Sequence, residues 1–362
     1  MPAQRLSTPA RSTRAAFVLA FAVAVAVVVA AAMIVLPSSV PPVAARQGAA
    51  ATAATTGRPV LLVLNKAEAT LAVVDPETMQ VVARVPTGDG PHEVATSPDG
   101  RTAYVTNYGG QKPGNSISVI DLAARKEVKR VDLGPLLRPH GIVERGGKLY
   151  FTAELSRAVA RYDPAADKVD LVVGTGQNLT HMLVMHPTRP VVYTTNILSD
   201  TATVMELDKP EQPGPPPRMT HVRVGPKPEG LDISPDGREL WVGHNDDGGI
   251  SIIDTETNKV KETIKVGGMP IRVKFTPDGR RVLVSSPPTG ELTVLDAATR
   301  KEIKRLRIDG APIGLLITPD GTRAYVATAQ AGKVVAVNLS DLTAGRSVET
   351  GQGPDGLGWS GR

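Results

Sequence analysis

The sequence predicts an all-β chain, a ring of seven four-stranded blades, and three features that recur in one register predict it. The first is a residue pair that opens a short strand: Pro91-His92, Pro139-His140, Thr180-His181, Pro228-Glu229, Pro270-Ile271, Pro312-Ile313 and Pro354-Asp355. Successive pairs lie 48, 41, 48, 42, 42 and 42 residues apart. A period of roughly 40 to 50 residues with four strands in each copy is the signature of a β-propeller blade. The second is the turn behind that strand, plainest as Thr276-Pro277-Asp278-Gly279: Pro presets φ, Asp bonds its own backbone and Gly supplies a positive φ. The third is an Asp or Asn at the end of each third strand: Asp75, Asp121, Asp163, Asp208, Asp254, Asp296 and Asn338.

Taken in order, the plainest copy has an opening strand over Ile271 to Phe275, a second over Arg281 to Ser285, a third over Leu292 to Leu295 and a charged fourth over Lys301 to Ile308. The N-terminal end offers only three strands, Pro59 to Leu64, Thr70 to Val74 and Val81 to Val85, with no opening strand. The C-terminal end offers an opening strand, Pro354 to Trp359, with nothing after it. The two fragments are therefore expected to complete one blade, the C-terminus giving its innermost strand, which removes the sheet edges that would otherwise invite pairing with other chains.

Second strands end in Tyr104-Val105-Thr106-Asn107, Tyr193-Thr194-Thr195-Asn196 and looser copies. With Ser97-Pro98-Asp99-Gly100 before it and Ser116 to Asp121 after it, the first of these resembles the YVTN family of β-propellers, and the resemblance runs from Arg58 to the C-terminus. It implies the propeller fold and a place outside the cytoplasm or in a surface layer; few members of that family have a known activity.

Aromatic residues make up only 3% of the chain, so Val, Ile and Leu must fill the core between blades. The net charge of +5 belongs mostly to residues 1 to 57, which carry Arg5, Arg11, Arg14 and Arg46 and no acid or Lys, leaving +1 for the rest. So balanced a surface excludes a general nucleic-acid binder. The chain has no cysteine, which excludes disulfides, thiol catalysis, Cys-ligated zinc and haem attached through C-x-x-C-H.

Residues 1 to 14 read as a basic cytoplasmic flank, and residues 15 to 36, Ala15 to Leu36, as an uninterrupted apolar run of 22 residues. As a helix this run measures about 33 Å, enough to span a bilayer. Its length favours a retained signal-anchor, while its Ala/Val composition and the small residues Val43-Ala44-Ala45 suit a cleaved signal peptide. Either way residues 58 to 362, the propeller, are expected outside the cytoplasm, tethered by an Ala/Pro/Thr-rich linker over 37 to 57.

In a propeller, loops alternate between two faces. The face formed by the first and third turns is tight, apart from an insertion from Lys209 to Met219, read as a stiff proline-rich loop. The opposite face carries the start of every opening strand at the mouth of the central channel. His92, His140, His181, Glu229 and Asp355 share that register, with Ile271 and Ile313 between them as an apolar arc. Three of the six histidines in one register, followed by a glutamate, form a set suited to a divalent metal, so His92, His140, His181 and Glu229 are the candidate metal ligands and all five polar residues the candidate ligand-binding set. Beside them, Tyr108 to Asn115 reads as a Gly-rich loop able to act as a lid. His244 to Asp247 reads as a polar turn without calcium-loop spacing, and His186 and His221 as structural.

Two further resemblances touch this register. Pro139-His140-Gly141-Ile142 is similar to blade starts in streptogramin lyases, which implies a magnesium-dependent lyase or lactonase-type enzyme using His140, His181 and Glu229. The propellers of haem d1 nitrite reductases are also similar, which implies non-covalent haem served by channel histidines. No nucleophile elbow, P-loop, H-E-x-x-H or dinucleotide fingerprint occurs. The expectation is an exported, monomeric binding scaffold, not assigned a catalytic residue, that takes a small molecule or an envelope or protein partner at the channel mouth, with a divalent metal as the candidate cofactor.

Overall fold

Consecutive Val, Ile and Leu in the middle strands of each blade put apolar side chains on both faces of the sheet, and sheets with two such faces bury them only by stacking on other sheets. Seven four-stranded antiparallel sheets do this here. The structure is a computed structural model that describes residues 58–207 and 217–361. The chain divides into two units, Met1–Thr52 and Ala53–Arg362, and the described residues all lie in the second. The basic flank, the apolar run, the linker, Asp208 and most of the 209–219 insertion fall outside the described residues.

Numbering blades from the N-terminus, the inner strands are Pro354–Ser360 in blade 1, Pro91–Thr96 in blade 2 and Pro139–Arg145 in blade 3. Those of blades 4 to 7 are Thr180–Met185, Pro228–Ile233, Arg272–Phe275 and Pro312–Ile317. Each touches the inner strand of the next blade and the last returns to the first, so the sheets close into a ring. Blade 1 is the shared one, with the C-terminal strand paired to Val60–Asn65, as the sequence requires. Among the described residues there is no helix, and so none long and apolar enough to cross a membrane.

The turn chemistry is as predicted. Asp278 Oδ1 accepts from Thr276 Oγ1 at 2.6 Å and from Arg280 N at 3.0 Å, and Ser97–Asp99 and Ser234–Asp236 repeat the pattern. His186 stands where the others carry Ser or Thr and does the same work, its Nδ1 accepting from Thr188 N and Arg189 N. The insertion after blade 4's third strand ends sooner than expected, because Arg218–Arg223 pairs as that blade's outer strand, with His221 inside it.

Two devices aim the channel residues. Six of the seven inner strands open with a β-bulge, as between Pro91 and Val94 or Pro139 and Ile142, and the extra residue turns the first side chains toward the channel. One register further in, four blades have glycine: Gly141, Gly230, Gly314 and Gly356. A Cβ on Gly230 would lie 2.8 Å from the Ile271 carbonyl oxygen, so the inner strands approach too closely there for most side chains. The same register holds Glu93, Met182 and Arg272 in the other three blades.

The threonine of Tyr-Val-Thr-Asn acts as a latch between blades. Thr106 Oγ1 donates to the His140 carbonyl at 2.7 Å, Thr152 to that of His181, Thr195 to that of Glu229 at 2.8 Å and Ser285 to that of Ile313 at 3.0 Å. The hydroxyl in each of these blades thus fixes the backbone of the channel residue in the next.

Candidate functional site

The repeat brings residues far apart in sequence into ring contact at the channel mouth. The His92 and His140 ring centroids are 4.0 Å apart, and those of His140 and His181 are 3.7 Å apart. Asp355 lies 3.5 Å from His92 Nδ1, and Glu229 Oε1 lies 3.4 Å from His181 Nε2. Ile271 is buried and Ile313 half-buried in the following blades.

Several residues of the cluster stand outside the set read from the sequence. Lys66, Tyr108, Glu154 and Asn245 are each the first residue past a second strand's common end, one register shared by blades 1, 2, 3 and 5. Lys66 Nζ is 3.4 Å from His92 Nε2 and Tyr108 stacks on His92 at 5.0 Å. His181 Nδ1 donates to Glu154 Oε1, while Glu154 Oε2 accepts from the Tyr108 hydroxyl at 2.6 Å. Asn245 Nδ2 donates to Glu229 Oε2. Arg138, held at φ 54° just before Pro139, donates from Nη1 to the Tyr108 hydroxyl at 2.7 Å.

Tyr108 to Asn115 does not form the expected loop. Strand pairing continues to Gly109 and resumes at Pro113, leaving a short turn, and Tyr108 belongs to the site wall. The His244 to Asp247 turn brings no oxygen cage together: His244 replaces the usual Asn and accepts from Gly225 N and Ser251 N, Asp247 pairs with Lys265, and Asp246 with Lys227.

Burial divides the three imidazoles. His140 is fully buried, and burial, then the neighbouring His181 and His92, hold its pKa well below the usual histidine value. His92 is lowered likewise by burial and then by Lys66 and Arg272. For His181 burial alone would act the same way, but the hydrogen bond to Glu154 and the Glu229 carboxylate outweigh it and raise the pKa to about 9. One imidazolium between two carboxylates therefore stands beside two neutral rings at pH 7.

Beneath the rings a buried guanidinium crosses the channel. Arg272 Nη2 donates to Glu93 at 2.7 Å and lies 3.3 Å from Asp355, and Glu93, Asp355 and Glu229 keep it charged despite its burial. Burial pushes the Glu93 carboxyl up, against the pull of Arg272. Farther in, the channel encloses a cavity of about 340 Å³, with Asp232 and Lys274 among Ile142, Leu183 and Leu315. A larger groove of about 610 Å³ lies away from this cluster, between blades 5 and 6. Its central carboxylate, Glu239, already accepts from Trp241, Lys261 and Arg300.

Two facts point to a ligand at the mouth. Among the described residues neither ring nitrogen of His140 has a hydrogen-bond partner, nor does His181 Nε2 in hydrogen-bonding geometry. One ligand atom from each of His140, Glu154 and His181 lies within 4.8 Å of the others, all three residues being buried. The compact trio thus contains two of the metal candidates read from the sequence, His140 and His181, with Glu154 added. His92 faces Lys66 and Asp355, and Glu229 supports the far side of His181.

Fold and site define a seven-bladed β-propeller with a histidine-lined channel mouth. A match to the cytochrome D1 heme domain family spans residues 147–328, half of the chain, and the chain belongs to that family. No curated protein matches the sequence. Among solved structures, the chain is similar to hydrazine synthase from Kuenenia stuttgartiensis (TM-score 0.68, 18% identity, 81% of this chain and 98% of that one). It is also similar to the periplasmic gluconolactonase PpgL of Pseudomonas aeruginosa (TM-score 0.69, 19% identity, 83% of this chain and 99% of that one). At such identity the likeness shows the fold alone.

The family name raises the question of haem, and the rings answer it geometrically. A haem ligand needs an open slot for a flat macrocycle at its ring nitrogen. His140 is instead packed between His92 and His181 with Tyr108 edge-on at 5.5 Å, and the cavity beneath is at the small end of ligand pockets. This arrangement does not fit a haem; what it does bring together is the three donor atoms of His140, Glu154 and His181.

Proposed function

We propose that this propeller is an exported binding scaffold whose channel mouth holds a divalent metal ion on His140, His181 and Glu154 and presents it to a small ligand. The observation that carries the reading is His140, a neutral imidazole that is fully buried and has no partner for either nitrogen among the described residues. An unsatisfied buried polar group costs about 1–3 kcal/mol, and a metal ion offers the lone pair its missing partner. Two imidazoles and a carboxylate are the donor set of many zinc sites. Glu229 and Tyr108 orient His181 and Glu154, as outer partners do for metal ligands. Export is supported by the three arginines and 22 apolar residues that precede the propeller, and by the resemblance of Tyr104-Val105-Thr106-Asn107 and its looser copies to the repeats of extracytoplasmic propellers.

Elemental analysis of the purified protein, dialysed against zinc and then buffer, tests this. One zinc per chain, lost in His140→Ala, is the expected result; none above background removes the reading.

The family match favours a second reading, non-covalent haem at the same histidines. The visible spectrum separates the two: a haem band in the purified protein would mean that the three rings part to admit the macrocycle. A bound divalent ion can also polarise a carbonyl or lower the pKa of a bound water. Lactone hydrolysis by the zinc-loaded protein, lost on chelation, would move the reading from binding to metal-dependent catalysis of the kind the gluconolactonase name suggests.

A further inference from the structure

We infer that the metal's remaining ligand is a small carboxylate carrying a single negative charge, received at Lys66; the inference rests on the metal reading above. Four carboxylates, Glu93, Glu154, Glu229 and Asp355, and three cations, Lys66, Arg138 and Arg272, surround the rings. A bound metal displaces the His181 proton, and Arg272 at 2.7 Å favours the ionised form of Glu93, so these groups leave one negative charge, which a divalent ion turns into one positive. An uncompensated charge in so buried a place is costly, and one monoanion cancels it where a neutral ligand or a dianion does not.

The cations decide where the anion sits. The Arg272 side chain is 5% exposed and already held by Glu93 and Asp355. Arg138 is committed to Tyr108, whose ring lies 4.6 Å below its guanidinium carbon. Lys66 is different: its side chain is 40% exposed, and its ammonium reaches the cluster at His92 Nε2, 3.8 Å from Asp355 and 5.5 Å above the Tyr108 ring. It is the cation of this cluster that meets both solvent and the imidazoles. A carboxylate that gave the ion one oxygen would have its other oxygen free for the Lys66 ammonium. Ile271 and Ile313, farther round the same register, give an attached hydrocarbon tail an apolar neighbour.

The test uses the full-length protein loaded with cobalt(II), whose visible spectrum reports its ligands, and titrates it with acetate, acetamide and inorganic phosphate. Acetate is expected to change the spectrum with a half-saturation at least tenfold below that of acetamide or phosphate. Lys66→Gln should raise the acetate value at least fivefold while leaving one cobalt bound, and Lys66→Arg should restore most of it. Equal response to acetamide, preference for phosphate, or no effect of Lys66→Gln overturns the carboxylate assignment and leaves the metal site standing. Failure to bind cobalt at all removes the metal site, and the carboxylate assignment with it.

Discussion

His140 and His181 lie with ring centroids 3.7 Å apart, yet one is held neutral and the other charged. Two protonated imidazoles so close would repel, and the two carboxylates on His181 decide which ring takes the proton. That asymmetry separates the behaviour of the metal-free site from that of the loaded one.

The unsatisfied nitrogens of His140 give the first prediction. A histidine kept for structure destabilises the fold when removed, whereas one whose polar atoms find no partner does not. In metal-free protein His140→Leu is expected to keep the melting temperature within about 2 °C of the parent, or raise it, because an apolar group of similar size removes a desolvation cost. Zinc affinity in the same variant should fall by more than about 100-fold, since a direct ligand matters at least as much as an outer partner. Calorimetry with and without zinc measures both; a large drop in stability without metal would make His140 structural.

His181 gives the second. Its pKa rises on folding from the model-peptide range to about 9, so its contribution to stability is fully present below the unfolded value near 6.5 and is lost as pH climbs through about 9. The size is on the order of 3 kcal/mol. With chelator present, urea unfolding should show stability falling from pH 7 to pH 9.5, and Glu229→Gln should flatten the fall. A pH-independent midpoint over that range would show that His181 is not charged at neutrality.

Much of this molecule is legible in its sequence because a repeat turns spacing into geometry. The seven pairs from Pro91-His92 to Pro354-Asp355 locate the inner strands, and their first polar residues locate the mouth. Lys66, Tyr108, Glu154 and Asn245 were hidden by their dissimilarity: they share a register, but nothing chemical links Lys to Tyr to Glu until the ring closes. Arg272 and Glu93 escaped for another reason. Their register is mostly glycine, which marks backbone contact, and the one signal of them in the sequence is the contrast with Gly141, Gly230, Gly314 and Gly356. The glycines after Tyr108 suggest mobility, but Gly109 and Pro113 continue the ladder instead.

The third prediction concerns that pair. Arg272 is shared by Glu93, Asp355 and Glu229, all of them in other blades, so it holds the inner strands of blades 1, 2, 5 and 6 together electrostatically. Arg272→Met should cost about 3–5 kcal/mol, because three carboxylates are left facing one another without their cation. Adding Glu93→Gln should recover part of the loss by removing one of those charges. Urea midpoints of parent, single and double variants form the measurement, and a single variant within 1 kcal/mol of the parent would mean that water screens the channel fully.

Ring closure gives the fourth. The C-terminal strand Pro354–Ser360 supplies the inner edge of blade 1, stacks Trp359 on Tyr325 of blade 7 at 6.1 Å, and sends a Ser360 hydroxyl to the Gly100 carbonyl of blade 2 at 2.5 Å. It also places Asp355 beside His92. Ending the chain at Thr350 strips the partner from Val60–Asn65 and leaves an apolar strand with unpaired backbone groups, a template for association. The truncated protein is expected to lose its cooperative thermal transition and to elute as oligomers in size exclusion. A peptide of residues 351–362 added during refolding should restore the monomer, and with Asp355→Asn in that peptide the ring should still close while the His92 environment, followed by its imidazole proton resonances, changes. A truncated chain that melts cooperatively as a monomer would show that six blades and three strands suffice, and that the shared blade is not what closes the ring.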